Sequence, residues 1–165
     1  MKRIGIIRYN KKINYKNGVE TSYYNKFINL DGDEIISESY YENNKKKHRL
    51  TSNGVVILEE NDWLEDVSGE KKTFYPKTGA LEVLHEWKGG KKGKNGNITY
   101  YEKEVEKGFY ETGELKYILD ISTKKEKDEE ITTLGTKKEF YKNGNLFMEG
   151  KMIRYIVVFE FYKNM

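Results

Sequence analysis

Two histidines, His48 and His85, are the side chains in this sequence best suited to act as bases near neutral pH. His48 follows three lysines, which indicates a basic turn. His85 alternates with Val83 and Trp87, as a residue on one face of a strand does. Neither stands beside a serine and a carboxylate in the arrangement of a known triad motif. The sequence therefore predicts no catalytic residue and favours a protein that is not an enzyme.

Two short segments resemble ligand-binding loops, but neither completes its motif. Asp31-Gly32-Asp33-Glu34 has the composition of a cation loop, yet Ile35-Ile36 follows where an EF-hand would continue its ligands. Lys91-Lys92-Gly93-Lys94 lacks the Gly-Lys-Ser/Thr ending of a phosphate loop. The chain has no cysteine, so thiolate metal sites are excluded. We expect a solvated hairpin turn at residues 31–34, and no metal or other cofactor.

Basic residues form two clusters that could contact an anionic surface. The clusters are Lys45, Lys46, Lys47 and Arg49, and Lys88, Lys91, Lys92 and Lys94. If both lie at turns on one edge of a sheet, they could meet an acidic protein or an anionic membrane, where each charge contributes about 1 kcal/mol. Alternatively, they only keep the protein soluble. The formal net charge is +3 and lysine outnumbers arginine, so we expect no nucleic acid partner.

The composition predicts an ordered but thin protein with one domain. Hydrophobic residues make up 36% of the chain and charged residues 35%, so a deep core is not expected. Aromatic residues reach 14%, which is too high for a disordered chain. The apolar stretch before Arg8 is too short for a signal peptide or a membrane span. We expect a soluble, cytoplasmic protein.

An aromatic pair followed by a turn and a leucine occurs three times, at residues 74–81, 109–115 and 140–146. Each copy has a turn glycine, and these are Gly79, Gly113 and Gly144. Apolar residues then alternate with polar ones after the turn, so each copy predicts a strand, a tight turn and a second strand. Repeated β-hairpins build extended surfaces rather than deep pockets.

Pro76 indicates which way the residues of the repeat face. A two-residue turn at Thr78-Gly79 would place Pro76 inside the strand ladder, where its missing N–H is unfavourable. A four-residue loop beginning at Pro76 instead pairs Phe74 with Leu81 and gives Gly79 the left-handed conformation. The phenylalanines then point inward, and an outward row remains, formed by Tyr75, Tyr110 and Tyr141. These rings could contact a partner, or could simply cover the second face of the sheet beside lysine stems.

Turn dipeptides and β-rich runs continue along the chain, so we expect a single hairpin-repeat domain over residues 1–165. The copies are clear from about residue 70 to 165. Residues 1–69 hold degenerate copies, with doublets such as Tyr23-Tyr24 and Tyr40-Tyr41. The spacing suggests a unit of about 20 residues with insertions near residues 91–95 and 124–130. The predicted fold is all-β: an elongated antiparallel sheet of consecutive hairpins with little or no helix.

This pattern of aromatic residue, tyrosine, two variable residues, glycine, variable residue and leucine resembles the MORN repeat. It looks most like the bacterial variant found in toxin-antitoxin and immunity components. The clear matches are residues 74–81, 109–115 and 140–150, while residues 15–18 and 41–46 match loosely, with Asn44 where a glycine is expected. The resemblance implies a sheet of consecutive hairpins that acts in scaffolding, lipid contact or binding of a toxin. It implies no catalytic residue in the repeat.

The leading hypothesis is a repeat protein that binds another protein, such as a toxin, through its tyrosine-rich sheet face or an open edge. Phe161-Tyr162 begins a further copy that stops at Met165, so we expect a last strand whose backbone groups could pair with another chain or another copy. The alternative is a membrane-peripheral scaffold that binds anionic lipid through the two lysine clusters.

Overall fold

The computed structural model describes residues 7–42, 45–63, 67–92, 98–125, 131–153 and 156–161, and these residues form β-strands and turns without a helix. The strands are β1 (Ile7–Lys16), β2 (Val19–Ile28), β3 (Glu34–Glu42), β4 (Lys45–Ser52), β5 (Val55–Trp63), β6 (Ser68–Phe74), β7 (Leu81–Lys88), β8 (Lys91–Lys92), β9 (Ile98–Tyr100), β10 (Lys103–Phe109), β11 (Leu115–Lys125), β12 (Ile131–Phe140), β13 (Leu146–Ile153) and β14 (Ile156–Phe161).

Strands β1 to β7 and β10 to β14 form one 12-stranded antiparallel sheet whose order follows the chain. Strand β7 pairs with β10 because β8 and β9 form a small hairpin of their own. This confirms the predicted all-β meander of hairpins. Strands β1 to β5 belong to the same sheet, so the hairpins continue through the part of the chain where the sequence copies are weak.

Strand pairing defines two faces of the sheet, because directly opposed residues share a face and successive residues alternate between faces. One row of opposed residues runs from Asn25 on β2 through Thr73 and Gly108 to Met148 on β13. All buried residues in the described part of the chain lie on the face of this row. They are Asn25, Ile35, Gly69, Trp87, Gly108, Thr123, Gly135, Met148 and Gly150. We call it the packed face, and the opposite one the open face.

Aromatic rings on the packed face lie over glycines of neighbouring strands. The Trp87 ring covers Gly69, and the Tyr117 ring covers Gly108, so closely that a Cβ at either glycine would clash with the ring. A ring in this position protects the backbone that a glycine leaves uncovered. Among the described residues no large side chain is fully buried, so the core is the thin layer that the composition predicts.

The turns alternate between the two long edges of the sheet. One edge, which we call the tyrosine edge, carries the turns at residues 29–33, 53–54, 75–80, 110–114 and 141–145. The other, the far edge, carries the turn at residues 17–18 and the connections β3 to β4, β5 to β6, β7 to β10, β11 to β12 and β13 to β14. All three clear repeat turns therefore lie side by side.

The second and third clear copies share a turn that is held by two backbone hydrogen bonds. The Gly113 N–H donates to the Tyr110 carbonyl and the Tyr110 N–H donates to the Glu114 carbonyl, both at 2.8 Å. Gly113 has a φ of 98° and Gly144, in the equivalent position, has 83°, as the left-handed turn position requires. The glycine positions in the repeat are thus confirmed.

The turn at residues 29–33 is a further copy that the aromatic doublets did not reveal. Its N–H to carbonyl bonds join Asn29 to Asp33 and Gly32 to Asn29, as in the clear copies, and Gly32 has a φ of 91°. Asn29 stands in the place of the tyrosine, and its Oδ1 accepts the N–H groups of Asp31 and Asp33 at 2.9 Å. The acidic run is therefore the hairpin turn that the sequence predicts.

The first clear copy has the longer loop that Pro76 predicts. The Gly79 N–H donates to the Tyr75 carbonyl at 2.8 Å, Gly79 has a φ of 70°, and Phe74 pairs with Leu81. The predicted inward position of the phenylalanines is wrong. Phe74 directly follows Thr73 of the packed face, so it lies on the open face, and the extra residue of a bulge on β7 allows it to pair with Leu81. Phe109 and Phe140 follow packed-face residues in the same way.

Three other expectations need correction or fall outside the description. Tyr23-Tyr24 lies within β2 and Tyr40-Tyr41 near the far edge, so neither doublet marks a repeat turn. Phe161 lies opposite Met148, in the position that Gly108 has opposite Val83. Gly108 precedes the aromatic doublet of its copy, so the last doublet is one residue out of register with the clear copies. Of the expected insertions, Lys91 and Lys92 form β8 and Lys124 and Lys125 end β11, while residues 93–95 and 126–130 are outside the described residues.

Candidate functional site

Two tyrosines of the predicted row connect successive repeats. The Tyr75 hydroxyl donates to the Phe109 carbonyl, and the Tyr110 hydroxyl donates to the Phe140 carbonyl, both at 2.8 Å. Each acceptor lies two strands further along the sheet, so the ring passes over the strand between them. Burial raises the pKa of the Tyr75 phenol, and nearby carboxylates raise it further, so the donated proton is retained. Both side chains thus have a structural role, and their contact with a partner stays a prediction.

Tyr141 is the most exposed member of the row. Its side chain is 41% exposed, and its ring meets the Phe147 ring edge-on at a centroid distance of 5.0 Å. A ring that is open to solvent on one side and packed on the other is suited to contact with another molecule. Of the three row tyrosines, Tyr141 fits the predicted partner-contact role best.

The first basic cluster is divided between the faces because it lies on strand β4 and not in a turn, which corrects the expectation for His48. Lys46 lies opposite Asp62 on the packed face, while Lys45, Lys47 and Arg49 lie on the open face. The Lys47 ammonium is 5.4 Å from the centre of the Tyr40 ring. Arg49 Nε is 3.7 Å from the Glu59 carboxylate. Three of the four basic residues thus share the open face, where Lys47 and Arg49 lie beside a ring and a carboxylate of the same sheet.

The second basic cluster reaches the same far edge as the start of β4, but the described members of both clusters lie on strands and not in turns. Lys88 lies directly opposite Lys103 on β10, and both side chains are exposed. Within the described part of the chain, no ion pair involves either lysine. The side chains of Lys91 and Lys92, and the whole of Lys94, lie outside the description.

One groove on the open face, which we call the first groove, crosses strands β2 to β5 and has a volume of about 470 Å³. Tyr24 and Tyr40 contribute aromatic walls. Glu38, Arg49 and Glu59 are directly opposed in turn on β3, β4 and β5, so the sign of charge alternates along the groove. This groove combines aromatic surface with hydrogen-bonding groups of both signs, which is typical of protein-binding surfaces.

The second groove crosses β6, β7 and β10 near the far edge and has a volume of about 480 Å³. Val105 and the opposed pair Lys88 and Lys103 line it together with two carboxylates. Glu70 accepts a hydrogen bond from Asn61 at 2.9 Å and one from Lys72 at 3.1 Å. Glu86 is 3.8 Å from the Lys107 ammonium. The carboxylates of the groove are thus engaged, and its positive charge comes from Lys88 and Lys103.

Both histidines lie on the packed face beside carboxylates. His48 Nε2 is 3.1 Å from the Ser37 hydroxyl, and His48 Nδ1 is 3.8 Å from the Glu60 carboxylate. This set has the atom order of a catalytic triad, and sequence spacing missed it because the three residues come from three strands. However, 3.8 Å is too long for the hydrogen bond that would orient the imidazole. The arrangement therefore fits polar packing across the sheet.

His85 lies on the packed face beside a carboxylate and an aromatic ring. Its Nε2 is 3.3 Å from the Glu104 carboxylate, and its ring is 5.3 Å from that of Trp87. Among the described residues, no three histidine, cysteine or acidic side chains converge to hold a metal ion. His85 is the sheet-face residue that its alternation with Val83 and Trp87 predicts.

Carboxylates gather on the packed face near Trp87. Burial raises the pKa of Asp62, and the charge of Glu60 raises it further, while Lys46 lowers it. Burial also raises the pKa of the Tyr101 phenol, as do Asp62, Glu104 and Glu60. The Tyr101 ring is 5.7 Å from that of Trp87. Like charges are therefore held together here at a cost to the folded state.

Comparisons of the chain with protein-family models, with curated proteins and with solved structures found no match. The resemblance to MORN repeats rests on the repeats themselves and stays a prediction. Among the residues that the structure describes, no helical segment has the length and apolar character needed to cross a bilayer.

Proposed function

We propose that this protein binds another protein through the first groove on its open face. The observation that carries this proposal is that Tyr24 and Tyr40 line the same groove as a row of charges that alternates in sign. The row is Glu38, Arg49 and Glu59. Tyrosine and arginine are among the residues that dominate binding energy at protein interfaces. A polypeptide can match both signs, whereas a lipid surface or a nucleic acid presents mainly negative charge.

The predicted tyrosine row contributes less to this surface than the sequence suggests. Tyr75 and Tyr110 use their hydroxyls between repeats, so the tyrosines of the groove replace them as the proposed centre of binding. Tyr141, on the tyrosine edge, is the most exposed tyrosine of the row, but it lies outside this groove and is not part of the proposed site. The MORN resemblance makes a toxin the first class of partner to test, and binding would then neutralise it.

The test is partner affinity in two double variants. The tagged protein is used to capture a stoichiometric partner from host lysate, and its dissociation constant is measured by calorimetry. Y24S/Y40S should weaken binding about 100-fold or more, since interface tyrosines often contribute about 2 kcal/mol or more each. Y15S/Y141S removes two tyrosines that are 62% and 41% exposed elsewhere and should change affinity by less than about threefold. Circular dichroism checks that both variants remain folded.

The opposite pattern would contradict the proposal. Unchanged affinity in Y24S/Y40S excludes the first groove as the site. Loss of binding in Y15S/Y141S alone would transfer the site toward the predicted tyrosine row.

The membrane-peripheral alternative keeps one supporting observation, the opposed pair Lys88 and Lys103. It predicts co-sedimentation with vesicles that contain phosphatidylserine, and weaker binding as salt rises. Vesicles of phosphatidylcholine alone are the control. In the other basic cluster, Lys47 and Arg49 already lie beside the Tyr40 ring and the Glu59 carboxylate, which favours the protein partner.

A further inference from the structure

We infer that the two grooves form one trough that binds an extended segment of the partner, with acidic residues of that segment over Lys88 and Lys103. The inference rests on the proposed protein-binding function. It adds the conformation and the charge pattern of the part of the partner that is recognised.

The two grooves share one row of directly opposed residues on the open face. The row is Ser22, Tyr40, Lys47, Asn61, Glu70, Glu86 and Val105. The first four residues line the first groove and the last three line the second. The grooves meet at Asn61 and Glu70, which face each other across β5 and β6 and are joined by a hydrogen bond of 2.9 Å. The grooves therefore adjoin end to end along this row.

The length of the row sets the length of the occupant. It crosses seven strands from β2 to β10, and strands are spaced about 4.8 Å apart, so the trough is about 29 Å long. An extended polypeptide advances about 3.3 Å per residue, which gives a segment of about nine residues. Such a segment lies across the strands and contacts side chains. It does not add a strand to an edge of the sheet.

The far end of the trough fixes the charge of the occupant. Like charges directly opposed on neighbouring strands destabilise a sheet, and Lys88 and Lys103 are placed in this way. The two carboxylates of this groove already contact Asn61, Lys72 and Lys107. A carboxylate from the partner would relieve the repulsion between the two ammonium groups. Val105 offers apolar contact to the stem of a glutamate or aspartate.

The other end of the trough has a different character. Tyr24 and Tyr40 lie there beside the alternating row of Glu38, Arg49 and Glu59. This end has little net charge, so it fits polar and aromatic residues. The structure therefore assigns polarity to the segment: a neutral, aromatic-tolerant end over β2 to β5 and an acidic end over β7 and β10.

A library of random nine-residue peptides, selected on the full-length protein, tests the inference. The wild type should enrich peptides with aspartate or glutamate toward one end. For a fluorescein-labelled acidic peptide from this selection, K88E/K103E should raise the Kd, measured by fluorescence anisotropy, at least tenfold. The same variant should instead select lysine or arginine at that end. K77E/K151E changes the net charge equally at two exposed lysines outside the trough and should leave the Kd within about twofold.

Each other result overturns the inference in a distinguishable way. The trough is excluded if the selected peptides have no acidic preference, or if K88E/K103E leaves an acidic preference intact. Neither outcome excludes protein binding at the first groove, which Y24S/Y40S tests separately. Selection of no peptide by the wild type excludes an extended segment as the occupant. If phosphatidylserine vesicles bind in place of peptides and K88E/K103E abolishes this, the lysine pair contacts a membrane instead. If neither Y24S/Y40S nor K88E/K103E weakens the affinity for the partner, the proposed function is overturned as well.

Discussion

Asp62 shows how a single residue on the packed face can oppose the fold that contains it. Its carboxylate is half-buried, lies near Glu60, and receives only partial compensation from Lys46. Its pKa is therefore higher in the folded chain than in the unfolded chain. A carboxyl group with a raised pKa holds its proton more tightly when folded, so its ionisation destabilises the fold as the pH rises through its unfolded and then its folded pKa.

Replacement of Asp62 by asparagine should therefore stabilise the protein at pH 7. Because the side chain remains partly in water, the gain should be modest, with a rise in Tm of no more than about 3 °C. At about pH 3, where the carboxyl group is protonated in both states, the gain should vanish. Thermal unfolding followed by circular dichroism at the two pH values measures both effects. A lower Tm at pH 7 would mean that the attraction of Lys46 outweighs burial and the repulsion by Glu60.

The sequence predicts some residue positions well and others poorly. Gly79, Gly113 and Gly144 were correctly placed because a left-handed turn position has few alternatives to glycine. The predicted face of Phe74 is wrong because a bulge at Glu82 shifts the pairing by one residue. The alternation of apolar and polar residues in a sequence does not reveal such a shift. The hydroxyl bond of Tyr75 was not expected because its acceptor is a backbone carbonyl, which leaves no trace in the sequence.

At the scale of elements, Asn53 joins two neighbouring hairpins at the tyrosine edge. Asn53 and Gly54 both have positive φ, 49° and 82°, as a two-residue hairpin turn requires. The Asn53 side chain also accepts the Glu34 N–H at 2.9 Å and donates to the Asp33 carboxylate at 2.8 Å. The turn between β4 and β5 is thereby fixed to the turn between β2 and β3.

Replacement of Asn53 by alanine should reduce the free energy of unfolding by about 2 kcal/mol. Alanine is less tolerant of the left-handed conformation, and the two side-chain hydrogen bonds are lost. N17A is the matched control, because Asn17 has a similar φ of 53° in a two-residue turn, and no side-chain hydrogen bond joins it to another described residue. Urea unfolding should show a smaller loss for N17A, of about 1 kcal/mol. Equal losses would show that the link between the hairpins contributes nothing.

Elements were easier to predict than the surface they form. Asn-Gly and Thr-Gly dipeptides between β-rich runs mark the turns at residues 17–18, 53–54, 78–79, 112–113 and 143–144, because the turn chemistry is local. Residues 45–49 were misjudged as a basic turn because a run of lysines resembles a solvated loop, although cross-strand partners can hold lysines in a strand. The first groove has no local signal at all: its walls come from four strands, and only their register brings Tyr24, Tyr40 and Arg49 together.

At the scale of the whole molecule, the sheet is a linear array: its strands follow the order of the chain, so each strand pairs only with the sheet strands that come before and after it in the sequence. Arrays of this kind tend to unfold in parts unless their units are coupled. The bonds from Tyr75 to Phe109 and from Tyr110 to Phe140 supply coupling beyond the nearest strand. Thr78 adds to it by donating to the Glu111 carboxylate of the next repeat turn at 3.0 Å.

The variant Y75F/Y110F should therefore lose cooperativity as well as stability. Each lost hydroxyl bond should cost about 1 kcal/mol, and urea unfolding should become broader, with a lower apparent m-value, as the hairpins on either side unfold separately. Y15F/Y141F removes two hydroxyls from exposed rings and should leave the m-value unchanged. A parallel shift of the midpoint without broadening would show that coupling through the backbone ladder is sufficient.

The tyrosine bonds between repeats also bear on how such an array can evolve. The donor is one particular side chain, but the acceptor is a main-chain carbonyl, which every residue possesses. A duplicated hairpin inherits its acceptor whatever substitutions it later gains, so selection has only the tyrosine to preserve. Gene duplication can thus lengthen the array while the sequences of its copies drift apart.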